Sequence, residues 1–440
     1  MSSGATRTAK FGFDPAAVRR AQPAVDLDTL VRSILFLAVF LAFWISFHPY
    51  PSLALPVQSL LVGDPINQIG FSAILISLAA WTWFHEPRRV LLLLRPVLIA
   101  LLVWFAVSVA ASWQPALSAR RLAFTLVVMS ISAMALLLPK NMRHFSELMA
   151  AAVLIVLAAC YLGVLFWPQY SIHQATDFLE PQNAGSWRGV LPHKNEAGAV
   201  MNQFIFIGLF VARARSFVLG ACIVILAGIF LVFAQSKAAI LLLPLVLIIS
   251  AVIGKSQRPA TGIVLVVSVL ALFNLFSVGT VVFKPVHDLI TTYMPDSSFT
   301  GRTEVWQFSL DALRQHLLTG YGFSAFWGTE QVQYGMGANA SWVNDTTDAH
   351  NAYLNLALTT GLPGMALVFA WIVILPILDY YRQPRGTPED PLRMLFLRVC
   401  IYGAYASCFE SSMFEQVAPW YLIMVAAFGL RYLLVTRVMA

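Results

Sequence analysis

Charge is what this 440-residue chain has least of: Asp, Glu, Lys and Arg together make up 11% of it, against 59% hydrophobic residues and a mean hydropathy of +0.75. Water-soluble domains carry about 25% charged residues, so this chain cannot clothe a water-facing surface, and a separate soluble domain of ordinary size is excluded. Cysteine is scarce as well. Cys160, Cys222, Cys400 and Cys408 lie in or at the ends of apolar runs, without the spacing of a metal site or a disulfide framework, and read as packing residues. No H-x-x-x-H pair and no paired carboxylates suggest a bound metal. No small-residue cleavage site follows the first apolar run, which therefore reads as a retained span. The net charge of +7 is scattered through short connections, with no basic block suited to nucleic acid.

Apolar runs of about 18–20 residues, the length that crosses a bilayer, are what the chain has in quantity. They fall near 33–47, 68–84, 96–112, 121–138, 147–166, 195–212, 217–234, 238–253, 260–282, 351–376, 394–410 and 418–434. The reading is an all-α integral membrane protein of about twelve transmembrane helices. A cytoplasmic tail covers 1–32, and one polytopic domain covers 33–440. Basic residues in short connections set the orientation. Arg88, Arg89, Arg95, Lys140, Arg143, Arg213, Arg215, Lys255, Arg258, Arg382, Arg385 and Arg431 fall on one side, the cytoplasm. The one large polar stretch, 284–348, falls on the other side as a periplasmic loop.

Several cations are left outside against this trend, among them Arg120, Arg121, Arg188, Lys194, Lys237 and Arg302. A cation at the bilayer centre costs roughly 2.5–3.5 kcal/mol, and less near an interface. Two readings are open: unrelated snorkelling side chains, or a shared anionic ligand.

Three outer segments carry them. Trp187-Arg188-Gly189 and His193-Lys194-Asn195-Glu196 lead into the sixth span, where free N–H groups and the helix dipole favour an anion. Ser236-Lys237 forms a tight turn between two spans. Thr300-Gly301-Arg302-Thr303 opens an amphipathic helix to about Thr319, with Val305, Trp306, Leu310, Leu313 and Leu317 along one face. Arg302 in its first turn opposes the dipole, a placement that a nearby anion explains.

Gly320-Tyr321-Gly322 and a loose segment holding Phe326, Trp327, Tyr334 and Trp342 follow. Those rings suit either stacking on sugars or an interfacial belt. The stretch ends at Asp345 and Asp348-Ala349-His350-Asn351-Ala352-Tyr353-Leu354. Asp348 reads as an N-cap, which puts His350 and Asn351 in the first helical turn. The dipole there lowers an imidazole pKa and keeps it neutral, available as a base, with Asp345 or Asp348 orienting the ring. The plain alternative is a histidine that only helps to cap. His173 reads as isolated, and Glu410 and Glu415 are the best acidic candidates.

Taken in order, these motifs resemble the bacterial O-antigen ligase and polysaccharide polymerase superfamily, and within it the exopolysaccharide-production polymerases. The resemblance covers about Trp187 to Gly364. It implies a C-type helical membrane glycosyltransferase of the bacterial inner membrane, with the active site facing the periplasm. The implied donor and acceptor are glycans on undecaprenyl pyrophosphate, with a chain-length regulator as a further candidate partner. A polymerase extends the glycan on a lipid-linked repeat unit, whereas a ligase moves it to lipid A-core. Neither implies a cofactor or a metal.

By this resemblance Arg188, Lys194, Lys237 and Arg302 bind the pyrophosphate, His350 is the catalytic base, and His193, Asn195, Asp348, Asn351 and Tyr353 support them. Lys237 stands where the family often has arginine, keeping the charge without the bidentate fork. The rival class is a secondary transporter or lipid-linked sugar flippase. Carriers show internal repeats and polar mid-membrane residues, and this chain shows neither convincingly.

Overall fold

The computed structural model describes residues 26–53, 64–177, 180–293, 302–332, 346–415 and 417–436. The expectations for Thr300, Gly301, Tyr334, Trp342 and Asp345, and for most of the N-terminal tail, lie outside the described residues.

The protein is an all-α integral membrane protein. Among the described residues ten helices are long and apolar enough to cross a membrane. In chain order the helices used here are α1 (Leu27–Ile45), α2 (Pro65–His85), α3 (Pro96–Ala110), α4 (Pro115–Ala135), α5 (Met142–Phe166) and α6 (Lys194–Ala214). Then come α7 (Phe217–Ala234), α8 (Lys237–Lys255), α9 (Pro259–Phe276) and α10 (Arg302–Gln315). The last three are α11 (Ala352–Arg382), α12 (Asp390–Ala406) and α13 (Ala418–Thr436). Two expected spans, α3 with 15 residues and α12 with 17, are helices shorter than the other ten.

Local chemistry sets the starts. Proline opens α2, α3, α4 and α9, where its missing N–H lacks a helical partner anyway. Asp64 caps α2 by accepting from the amides of Ile66 and Asn67 at 3.0 and 3.1 Å. Asp26 caps α1, and the Arg32–Asp28 pair at 2.8 Å braces its first turns, so Leu27 to Arg32 are helix rather than tail. The ninth expected span stops at Phe276, and a separate short turn, Gly279–Val282, follows.

The most enclosed helices, α6, α12 and α13, form the middle of the bundle. Helix α6 packs on α5, α7 and α12, while α13 packs on α4 and α12. Helices α2, α7 and α9 turn large apolar side chains such as Trp83, Ile225 and Val264 outward, the face acyl chains require. Near one end of the bundle, buried Arg95 is paired with Asp379 of α11.

At the other end α10 lies across the start of α11, burying Val305, Trp306, Ala312 and Leu313 with Tyr321, Phe326 and Trp327 in a second apolar cluster. The amphipathic helix therefore caps the bundle, ending at Gln315 rather than near Thr319. Phe326 and Trp327 are core residues, neither sugar platforms nor belt. The Trp327 indole donates to Asn355 at 2.7 Å.

Helix α11 breaks at Gly361, whose φ is +73°. Pro363 has no N–H to offer the Thr359 carbonyl, which instead accepts from Gly322 N and Ser108 Oγ, both at 3.0 Å. The Leu362 amide turns away to Leu317 O at 2.9 Å, and Tyr321 N takes its place on Leu358 O at 3.0 Å. Glycine is required at the crossing. A Cβ on Gly361 would lie 1.8 Å from the Leu318 carbonyl oxygen. Gly320-Tyr321-Gly322 is thus the strap that fills the gap in α11.

Candidate active site

The capped end holds a cavity of about 360 Å³ lined by Glu180, His193, Asn195, Glu196, Ser236, Arg302, Asp348, His350, Glu410 and Ser411, over apolar residues such as Leu242, Tyr402 and Ile423. Six separate segments supply this lining.

Asn351 rather than Asp348 caps α11, its side chain accepting from Leu354 N at 3.0 Å. His350 therefore precedes the first turn, with φ of +48° in the left-handed region. Asp348 holds that turn by accepting from His350 N at 2.6 Å. Asn351 is fully buried and donates to Asn274 Oδ1 at 3.0 Å and to the Cys408 carbonyl at 3.1 Å. Its own amide and that of Ala352 donate to Ser411 Oγ and Ser407 O at 3.1 and 2.8 Å. The segment carrying Glu410 is thereby stitched to the one carrying His350. Tyr353 is buried behind them, its hydroxyl donating to Ala404 O at 2.9 Å.

Glu410 is the hub. Its Oε1 accepts from Asn195 Nδ2 at 3.0 Å and lies 3.4 Å from Arg302 Nη2, while Arg302 Nη1 donates to Phe409 O at 3.0 Å. Its Oε2 lies 3.8 Å from His350 Nδ1, and Asp348 Oδ1 lies 3.7 Å from the same nitrogen. These are ion-pair distances, too long for hydrogen bonds. Burial works against a charged His350, yet Glu410 and Asp348 outweigh it and raise the imidazole above its ordinary 6.5. The expected lowering by a helix dipole is overturned because the ring precedes the helix and faces two carboxylates. Burial likewise opposes the Glu410 anion, but His350 and Arg302 hold that carboxyl below its usual range. Carboxylates beside Nδ1 favour its protonation, leaving Nε2 as the lone-pair nitrogen.

Two imidazoles occupy the start of α6, so the amides of Lys194 and Asn195, two of those expected there for an anion, are taken. His193 caps the helix, Nδ1 accepting from Asn195 N at 3.1 Å. Its Nε2–H therefore donates to Glu180 at 2.6 Å, and this bond draws the Glu180 carboxyl down to about 2. His173, far from isolated, accepts from Lys194 N at 3.2 Å through Nε2 and donates through Nδ1 to Asp177 at 2.8 Å. Burial pushes its pKa down, keeping it neutral. Glu196 stands at the third helical position and accepts from Ala418 N at 2.8 Å.

Of the four expected anion-binding cations only Arg302 lines this cavity. Arg188 is 1% exposed, and its guanidinium donates to Pro51 O at 2.7 Å and Leu191 O at 3.1 Å. Lys194 and Lys237 open α6 and α8 beside the cavity without lining it. From the Ser236-Lys237 turn it is Ser236 that enters, bonded to Asn195 Oδ1 at 3.3 Å. Glu415 does not line the cavity. It accepts from Ser324 Oγ, and burial pushes its carboxyl up to about 7.

Glu180 carried no signal in the sequence, while Glu196 and Ser236 stood within the outer motifs without a role of their own. Glu196 lies three residues after the cap, at a capping-box position. Among the described residues no three His, Cys, Asp or Glu side chains are grouped to hold a metal ion.

The O-Antigen ligase family model matches residues 221–369, a stretch that includes Ser236, Arg302, His350 and Asn351 but neither His193 nor Glu410. One similar curated protein is the exopolysaccharide production protein ExoQ of Rhizobium meliloti (strain 1021), 24% identical over 251 residues, covering 52% of this chain and 55% of the relative. The chain thus matches about half the length of that relative. Both findings bear out the resemblance to the O-antigen ligase and polysaccharide polymerase superfamily.

Proposed function

We propose that the protein is an inverting membrane glycosyltransferase that polymerises undecaprenyl-pyrophosphate-linked repeat units at the periplasmic face of the inner membrane, in exopolysaccharide or O-antigen synthesis. The observation that carries this reading is the convergence of His350 and Arg302 on Glu410 within one cavity at the capped end. It joins a proton acceptor to a cation beside a space that admits a substrate.

In the proposed step an acceptor sugar hydroxyl gives its proton to Nε2 of His350 as its oxygen bonds to the anomeric carbon of the donor. The bond from that carbon to the pyrophosphate oxygen breaks, and its electron pair leaves with the pyrophosphate. Attack from the opposite side inverts the anomeric centre. Glu410 and Asp348 stabilise the imidazolium, and Arg302 offsets charge developing on the leaving group, with Lys194 and Lys237 flanking it. Neither a nucleotide sugar nor a metal has a part in this scheme.

Similarity to an exopolysaccharide production protein favours polymer synthesis, whereas the match to the O-antigen ligase family favours a second reading, ligation to lipid A-core. Purified protein given lipid-pyrophosphate repeat units alone tests the choice. Polymer ladders without added core support the polymerase. Transfer only when lipid A-core is supplied supports the ligase, and no transfer in either case refutes both.

A further inference from the structure

We propose that a second cavity, on the other side of Glu196, is a saccharide subsite that holds one sugar ring of the glycan substrate. This deepens the glycosyl-transfer reading and rests on it. The cavity measures about 220 Å³ and lies between the ends of α1, α2 and α13 and the segment 190–192. Glu196 lines both cavities. Ala418 lines the second, and its neighbours Val417 and Pro419 line the first. One carboxylate and a few residues of chain therefore part the two spaces, and the Ala418 amide fixes that carboxylate at 2.8 Å.

The wall has the chemistry of a sugar site. Trp44, Phe71 and Tyr421 supply aromatic surface for the C–H face of a ring, and Asn67 and Glu196 supply polar groups for its hydroxyls. Trp44 is 1% exposed, and its indole N–H has no partner among the described residues. A buried donor without an acceptor is costly and rare, and it calls for a reason. A sugar oxygen in the cavity supplies the acceptor that an acyl chain lacks. Among the described residues no lysine or arginine lines this space, which suits an uncharged ring rather than a pyrophosphate.

The same geometry gives Arg188 a part. Its guanidinium ties the carbonyls of Pro51 and Leu191, and both residues belong to this wall. The Trp187-Arg188-Gly189 motif thus frames the second cavity rather than the first.

The test uses the full-length purified protein and the oligosaccharide that mild acid releases from host lipid-linked repeat units, free of lipid and pyrophosphate. Calorimetry should show binding by the wild type, a fall of about three- to ten-fold for Trp44→Phe, and loss of binding for Ala418→Leu, which fills the cavity. Trp44→Phe keeps an aromatic ring and carries the test alone if Ala418→Leu misfolds. In the transfer assay, a raised KM for the growing donor assigns the ring to the donor, and a raised KM for the single-repeat acceptor assigns it to the acceptor. Unchanged oligosaccharide affinity in a Trp44→Phe protein of normal melting temperature overturns the subsite. Trp44-dependent binding by a protein that transfers nothing would leave the subsite standing and remove the transferase reading instead.

Discussion

Nδ1 of His350 stands 3.8 Å from Oε2 of Glu410, a residue sixty positions later that Asn195 and Arg302 hold from its other oxygen. If this carboxylate tunes the imidazole, its removal has a definite sign. His350 must be neutral to accept a proton, and its pKa is raised above 6.5, so activity should rise with pH through an acid limb above that value. In Glu410→Gln burial and the Arg302 charge still lower the pKa while one of the two carboxylates that raise it is lost. The acid limb should move to lower pH and the maximal rate should fall. A pH–rate profile of unchanged midpoint would show that Glu410 does not tune the base.

His350→Ala should cut transfer by about 10²–10⁴-fold, the usual effect of losing a positioned base. Donor binding, measured with a lipid-pyrophosphate glycan, should stay within a few-fold of wild type. If turnover is instead near normal, His350 only shapes the turn before α11.

Arg302 and Arg188 should separate cleanly. Arg302→Ala is expected to lose transfer at near-normal melting temperature, with Arg302→Lys rescuing part of it because a point charge replaces a planar fork. Arg188→Ala should act on stability, since it strands the buried Leu191 carbonyl, at about 1–3 kcal/mol, and frees the half-buried Pro51 carbonyl. Thermal melts at matched expression decide between these outcomes, and an Arg188→Ala protein as stable as wild type would contradict the buried role.

Topology gives an independent check. Cysteines placed in the 383–389 connection should react only after the membrane is permeabilised, and cysteines at 284–293 should react in spheroplasts, both in a cysteine-free background. The opposite pattern would put the cavity on the cytoplasmic side and end the periplasmic proposal.

Much of this was legible in the chain itself. Span-length apolar runs mark the helices, and the polar cluster ending at His350 marks the end of the bundle where the cavity lies. What was illegible is pairing across distance. Glu410 looks like any acid at a span end until Asn351 stitches its segment to His350. An arginine outside the positive side looks the same whether it faces an anion, as proposed for Arg302, or is spent on backbone carbonyls, as Arg188 is. His173 looked solitary because its partner, the start of α6, lies 21 residues further on and the Ile172–Trp187 bridge brings the two together.

The break in α11 has a mechanical consequence. Bilayers differ in thickness, and a continuous span answers by tilting along its whole length. Here Leu358 and Thr359 before the break are tied to Tyr321 and Gly322, Leu362 just past it is tied to Leu317, and the helix resumes from there. Tilt in the lower part of α11 can be taken up at the joint, so His350 keeps its register with Arg302 and Glu410 while the span beneath adjusts. The groups proposed to react lie on the capped side of that joint.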